Sequence, residues 1–486
     1  MTFSDRFIDI AKKVLPMPFT IAVLLTLVTI LLVFVVDPKP PSAKPSYEIS
    51  VGGNTVQVTP ERYAELQQEL NIPNPSASKK QEQPRALQIM SFWEKGFWEL
   101  LEFAMQMVLI LVLGHALALT STARRIIDKI VSYCTNTANT AALVAFSAIF
   151  IGLLNWGLGL IFGAILARKA GESAVLKNKP LNYPLIGAAG YAGLMVWHGG
   201  LSGSAPLKVT EPGHFLQSIV GIIPPEETLF SLMNITASIL LLALVPLVLF
   251  FIGRKSKGNI PNLSLIKEKK EINRPIGAEK LDYSKALGYS FGAVIIALGI
   301  YKGLTYSGST PFSFLTLNYV NFMLFGFGIL LHGSFIKFIR AIDEAVGGAA
   351  GIIIQFPIYA GIMGIMKYSG LINSFADFFI QISNAETLPI FTFISAAIVN
   401  IFVPSGGGQW AVQGPIVAQS ALDIGSSFSK NVMALAYGDQ LTNMIQPFWA
   451  LPLLGITGLD AKDILPYTLI IMLTGIVIFL SCLLLF

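Results

Sequence analysis

Ile401-Phe-Val-Pro-Ser-Gly-Gly-Gly-Gln-Trp410 interrupts an apolar context, between Pro389–Asn400 and Ala411–Ala421. Each flank is too short to cross a bilayer alone: about 12 helical residues rise roughly 18 Å, against a hydrocarbon core of about 30 Å. Two such arms joined by Pro-Ser-Gly-Gly-Gly-Gln make a hairpin that dips in and turns back. Consecutive glycines let backbone approach a ligand closely and leave peptide groups without helical partners. Irregular backbone at membrane depth survives only where protein or a water-filled cavity satisfies it. The stretch therefore reads as a binding site at the bilayer midplane, with a glycine-rich surface loop as the plainer alternative.

The surrounding chain supports a membrane setting. Of 486 residues, 53% are hydrophobic and only 13% charged, about half the charged share of a soluble domain. Several apolar runs reach 18 residues, so the fold class is an all-α polytopic membrane protein. The net charge of +5 is concentrated in loops and is no nucleic-acid footprint. Cys134 and Cys482 give neither a disulfide framework nor metal spacing.

In chain order, 1–36 carries the first span, read as uncleaved, and 37–96 an extracytoplasmic polar loop and interface segment, with a short helix at Pro60–Leu70. Residues 97–252 hold a span, an amphipathic surface segment, a hairpin at 141–167, a broken helix at 184–209 and a closing span. Residues 253–285 form a basic linker with nine Lys/Arg against four Asp/Glu. Residues 286–486 hold further spans, the hairpin at 389–421, a broken helix at 431–454 and a final span. With a cytoplasmic N-terminus, Arg124/Arg125/Lys129, Arg168/Lys169, the linker and Lys337/Arg340 all fall inside only if 141–167 enters and leaves on one side. About nine transmembrane helices and two opposed re-entrant hairpins result.

The two halves match in architecture: hairpin, broken helix, closing span. Asn155-Trp-Gly-Leu-Gly and His198-Gly-Gly-Leu-Ser-Gly-Ser-Ala-Pro interrupt the first; Asn400 to Trp410 and Gly438-Asp-Gln-Leu-Thr-Asn interrupt the second. Asn155 pairs with Asn400, and Ser202 with Thr442. Paired interruptions in opposed halves point to the site of a secondary transporter. Helix N-termini there suit a carboxylate; unwound carbonyls and hydroxyls suit Na⁺.

The substrate-binding candidates are Asn155, Trp156, Gly157, His198, Gly199, Gly200, Ser202, Ser204, Ser405, Gly406, Gly407, Gly408, Gln409, Thr442 and Asn443. Coupling-ion candidates are Asn155, Asn400, Asp439, Gln440, Thr442 and Asn443. No Arg or Lys lies in the breaks, which favours a small monoanion. Asp439, the only acid there, reads either as a proton or Na⁺ site or as a capping residue. Trp156 and Trp410 either wall an apolar pocket or merely pack. Lys302 and Lys367, near span ends, are expected to snorkel. No ATP-binding or zinc-enzyme motif is present, so the chain reads as a carrier and not an enzyme.

Phe7-Ile-Asp-Ile-Ala-Lys-Lys-Val-Leu-Pro-Met-Pro-Phe, Met195-Val-Trp-His-Gly-Gly-Leu-Ser-Gly-Ser-Ala-Pro-Leu, Phe402-Val-Pro-Ser-Gly-Gly-Gly-Gln-Trp-Ala-Val-Gln-Gly-Pro and Tyr437-Gly-Asp-Gln-Leu-Thr-Asn-Met-Ile-Gln-Pro-Phe-Trp carry a resemblance that runs end to end. The chain resembles the bacterial short-chain fatty acid transporter family, the acetoacetate/butyrate-type permeases, within the ion transporter superfamily. The resemblance implies short-chain monocarboxylates as substrate, secondary transport with Na⁺ or H⁺ as coupling ion and no other cofactor, a homodimer with an elevator motion, and the bacterial inner membrane. Antiport, another organic anion or amino acid as cargo, and a channel or uniporter are the rival readings. The Ser-Asn-Thr hairpin tips of the superfamily's dicarboxylate carriers are replaced here by Asn155-Trp-Gly and Pro404-Ser-Gly-Gly-Gly-Gln, so their sodium ligands do not transfer residue by residue.

Overall fold

Apolar runs bounded by Ser, Thr and Asn caps and by glycine stops dictate a chain of helices, and the computed structural model shows one. It describes residues 18–38, 47–51, 54–58, 84–210, 212–214, 216–263, 277–307, 314 and 316–486. The helices, single turns aside, are α1 Pro18–Val36, α2 Arg85–Glu99, α3 Leu101–Ala118, α4 Ser121–Ser132, α5 Thr137–Leu154, α6 Trp156–Leu176, α7 Tyr183–Tyr191, α8 Leu232–Lys255 and α9 Lys285–Leu304. They continue as α10 Leu317–His332, α11 Phe335–Ala345, α12 Ala350–Ser369, α13 Leu371–Gln381, α14 Leu388–Phe402, α15 Gly406–Ile424, α16 Phe428–Thr442, α17 Pro447–Thr457 and α18 Ala461–Leu485. Asn136, Asn182, Ser231, Ser284, Thr316 and Ser427 each accept a backbone N–H at a helix start, the role short polar side chains fill best. Gly333, Gly370, Gly425 and Gly458 stop helices in the left-handed conformation, which costs glycine nothing.

Two expectations need correction. The polar loop is not without strands: β1 Tyr47–Val51 pairs antiparallel with β2 Asn54–Val58. Tyr-Glu-Ile-Ser-Val and Asn-Thr-Val-Gln-Val alternate around a Gly-Gly pair, which is a hairpin signal. The expected helix at Pro60–Leu70 lies outside the described residues. Against about nine spans, seven helical stretches among the described residues are long and apolar enough to cross a bilayer. Three further apolar helices, Asn318–His332, Leu388–Phe402 and Pro447–Thr457, are shorter. Three expected spans are lost, since the one expected at Leu315–Gly333 yields only the 16 residues of α10 and the two broken helices divide into pieces; α5, expected as a hairpin arm, is long enough to count and makes seven.

Both predicted hairpins are helix pairs folded back on themselves. A Cβ on Gly159 would fall 2.6 Å from the Gly152 Cα, and one on Gly163 would fall 3.0 Å from the Ala148 Cβ. The α5/α6 pair is thus antiparallel about Asn155. Gln409 reaches the Ala396 carbonyl and Gln413 reaches Ser395, which folds α15 onto α14 about 403–405. The first pair is longer than its prediction: α5 has 18 residues, about 27 Å of helix.

Packing sorts the helices into two groups. In one, α1, α2, α3, α9, α10, α11 and α12 lie against one another; in the other, α5–α8 with α14–α16 and α18. Helices α4, α13 and α17 touch both, and α3 also meets α6 and α12 meets α14. Close approach depends on glycine at Gly96 and Gly364, where a Cβ on the first would meet the second's Cα at 2.5 Å. That is the small-residue device of helix association in membranes.

Candidate functional site

Asn155 is where the first hairpin turns. Its backbone is extended, and its side chain accepts the Leu158 N–H to cap α6. The next donor, Trp156 N–H, bonds Ser202 Oγ at 2.9 Å, and Leu201 N–H bonds the Leu153 carbonyl at 2.8 Å. The tip is therefore seated on the irregular stretch after α7. That stretch passes from α7 through a 3₁₀ turn, Ala192–Met195, and regains helix at Ala205–Lys208. Gly157 follows the tip as a buried residue of α6.

The second hairpin repeats the device with different letters. Ser405 caps α15 by accepting the Gly408 N–H. Ser405 is thus the tip counterpart of Asn155, whereas Asn400 sits earlier, inside α14. Yet Asn400 Nδ2 donates to Thr442 Oγ1 at 3.0 Å, so each hairpin does bond the hydroxyl of the Ser202/Thr442 pair.

Gly406 brings the second tip onto the first break. A Cβ there would sit 2.6 Å from Trp197 Cη2 and 3.0 Å from His198 Cε1. At Gly407 the nearest neighbour would be Ser204 Oγ at 3.9 Å. The indole of Trp197 stacks on the His198 ring at 4.4 Å and neighbours Trp156 and Trp449, which places an aromatic wall behind the tip. Trp410 is instead buried against Phe428 and packs within the second hairpin's core.

The second break is narrower than the stretch 437–447. Helix α16 runs through Thr442, a 3₁₀ turn covers Asn443–Ile445, and Gln446 is extended before Pro447. No proline interrupts the chain before Pro447, so the helix continues past Gly438. Asp439 and Gln440 consequently project from a continuous helix. Gln440 Oε1 accepts His198 N–H at 2.8 Å and lies 3.4 Å from Gly199 N, tying the two breaks together. Gly200 packs on the Leu153 carbonyl.

Asn400, Asp439, Thr442 and Asn443 form a buried polar knot. Asn400 Nδ2 faces the Asp439 carbonyl, Thr442 Oγ1 and Asn443 Oδ1 together, while the Gln446 amide donates to the Asn400 carbonyl. Among the described residues, Asn400 Oδ1, Asn443 Nδ2 and Gln446 Oε1 have no partner, an unusual concentration of unmet polar atoms. On the other side, His198 Nδ1 lies 3.7 Å from Asp439 Oδ1, and Asp439 Oδ2 has no hydrogen-bond partner among the described residues. Because His198 Nε2 accepts the Ala205 N–H, the neutral ring carries its proton on Nδ1, facing Asp439.

Gln409 does not reach this meeting point; it turns between the arms of its own hairpin, onto Ala396 and Gln413. Asn234 does reach it, unforeseen: Nδ2 donates to the Gly199 carbonyl and Oδ1 accepts from Tyr437. A lone asparagine near the start of an apolar span was the available signal. Tyr191, whose hydroxyl donates to the Asn443 carbonyl at 2.7 Å, carried none.

A family model described as "Short chain fatty acid transporter" matches residues 1–486. The chain belongs to the short chain fatty acid transporter family. It is 39% identical over 407 residues to an Escherichia coli (strain K12) protein named "Putative short-chain fatty acid transporter", covering 82% of this chain and 90% of the relative. A Haemophilus influenzae protein of the same name is 39% identical over 392 residues, 78% of this chain and 86% of the relative. Among solved structures, the Alcanivorax borkumensis YdaH transporter aligns over 96% of this chain and 98% of its own at 14% identity and TM-score 0.41. Neisseria gonorrhoeae MtrF, titled as one of a class of antimetabolite efflux pumps, aligns over 97% of each at 15% and 0.40. Membership makes this a multi-pass membrane transporter; those low scores add nothing to its topology.

Proposed function

We propose that the protein takes up short-chain monocarboxylates such as acetoacetate or butyrate by symport with Na⁺ or H⁺. It does so as a homodimer in the bacterial inner membrane, N-terminus in the cytoplasm. Its two helical hairpins re-enter from opposite faces, and the group containing them moves against the other helices as an elevator. The observation that carries the reading is the meeting of Gly406 with Trp197 and His198, with no room for a Cβ between them. An alkyl tail suits the Trp156–Trp197–Trp449 wall; a single carboxylate suits the uncapped N–H groups of Gly406 and Gly407 and the hydroxyls of Ser202 and Ser204. Gly157, Gly199, Gly200 and Gly408 let backbone close in around so small a ligand.

Two places suit the coupling ion. With the Asn400 side-chain amide turned so that its Oδ1 faces them, the oxygens of Asp439, Thr442 and Asn443 would make a set of hard ligands suited to Na⁺. Asp439 Oδ2, buried beside the His198 ring, is placed to take a proton. Butyrate uptake into reconstituted vesicles, driven by a Na⁺ gradient alone and then a proton gradient alone, separates them. Accumulation under one gradient is expected. Accumulation under neither refutes symport, and non-saturating flux points to a channel. A counterflow panel of C2 to C6 acids fixes chain length.

A further inference from the structure

Two ionisable side chains at helix ends meet here where sequence spacing gave no hint, and in a membrane transporter such a pair is a candidate for the substrate pathway. Lys367 lies near the end of α12 and Glu99 at the end of α2, yet Lys367 Nζ is 3.1 Å from Glu99 Oε2. The Tyr368 hydroxyl donates to the same carboxylate. Lys95 Nζ sits 4.0 Å above the Tyr368 ring and Lys367 Nζ 5.0 Å from it. Two cations and one anion are thus gathered around one tyrosine, and of these Lys367 and Glu99 border the cavity.

This cluster borders open space. A cavity of about 220 Å³ is lined by Glu99, Lys367, Met363 and Ile372 on one side and by Val403, Ser405 and Gly408 of the second hairpin's tip on the other. It holds several waters' worth of volume, enough for an acid of a few carbons. Its walls are apolar except at the Lys367–Glu99 end and at Ser405. The Lys367 side chain is 40% exposed, so an incoming anion can reach it. We propose that this cavity binds the carboxylate of a short monocarboxylate, with Lys367 as its counter-charge. The Glu99 carboxylate, which holds Lys367 in the empty site, is the competitor that the substrate displaces. The inference rests on the uptake reading for its ligand. It adds the fixed cation that the breaks themselves lack, and once Glu99 is displaced that single cation matches a single carboxylate.

Equilibrium binding of radiolabelled butyrate to the purified full-length protein tests it. Lys367→Gln should weaken binding about tenfold, the loss of one charge-assisted hydrogen bond, and Lys367→Arg should retain most of it. Glu99→Gln should tighten binding, because Lys367 is released. A purely structural ion pair behaves otherwise: either single substitution breaks it, and both shift affinity in the same direction. The Glu99→Gln/Lys367→Gln double variant, which leaves no unpaired charge, should bind as weakly as Lys367→Gln while melting like the parent. Same-direction shifts, unchanged affinity in all variants, or no butyrate binding by the parent would overturn the proposal. Parental uptake, measured separately, keeps the two readings apart. Uptake with variant affinities unchanged removes the cavity and leaves the transport function; binding without uptake removes the function and leaves the cavity.

Discussion

At the scale of single residues, the account turns on which glycine is crowded. Gly406 has Trp197 and His198 against it, while Gly407 has open space but for Ser204. Trp197 cannot swing away cheaply, because it is stacked on His198 and wedged beside Trp156 and Trp449. Gly406→Ala should therefore lower butyrate uptake by about tenfold or more, since overpacking costs about 1–3 kcal/mol and displaces the tip. Gly407→Ala should leave uptake near the parental rate, with membrane insertion of both checked by surface labelling. Adjacent glycines look identical in a sequence; only the neighbour across space tells them apart. The same limit hid Lys367. Its position near a span end invited a snorkelling reading, and nothing local announced Glu99, 268 positions away in the chain. Asn155, Ser202 and Thr442 were legible because polar letters inside apolar runs stand out on their own.

At the scale of elements, each hairpin is a pair of helices whose second member needs a cap where the chain turns. Asn155 and Ser405 supply it by accepting Leu158 N–H and Gly408 N–H. Replacing either with alanine should cost about 1 kcal/mol, read as a lower melting temperature in detergent. Ser405→Asn should restore most of the loss, because asparagine caps as well as serine. The interruptions themselves could be found from glycine and proline, but their limits could not. Helix α16 carries Asp439 and Gln440 in register through Thr442, since neighbouring helices overrule the weak preference of Gly438. Sequence spacing also paired Asn155 with Asn400, whereas the caps pair Asn155 with Ser405. The tips correspond by capping role, not by identity of letter.

At the scale of the whole molecule, the two breaks are bound to each other through Gln440, His198, Tyr191 and Asn443. The two hairpin tips close over that junction. Helical class and the turning points at 155 and 403–405 were legible, because hydrophobic runs and their interruptions are local properties. The division of helices into two packing groups was not, because α2 meets α12 and α3 meets α10 across hundreds of residues. The most direct test is a cross-link between the second tip and the first break, through Ser204→Cys and Gly407→Cys in native membranes. Ser204 Oγ lies 3.9 Å from the place a Cβ on Gly407 would occupy, within disulfide reach. The account predicts a disulfide on mild oxidation, slowed by butyrate and reversed by reductant. Two thiols that both react with maleimide yet never cross-link under strong oxidation would contradict it.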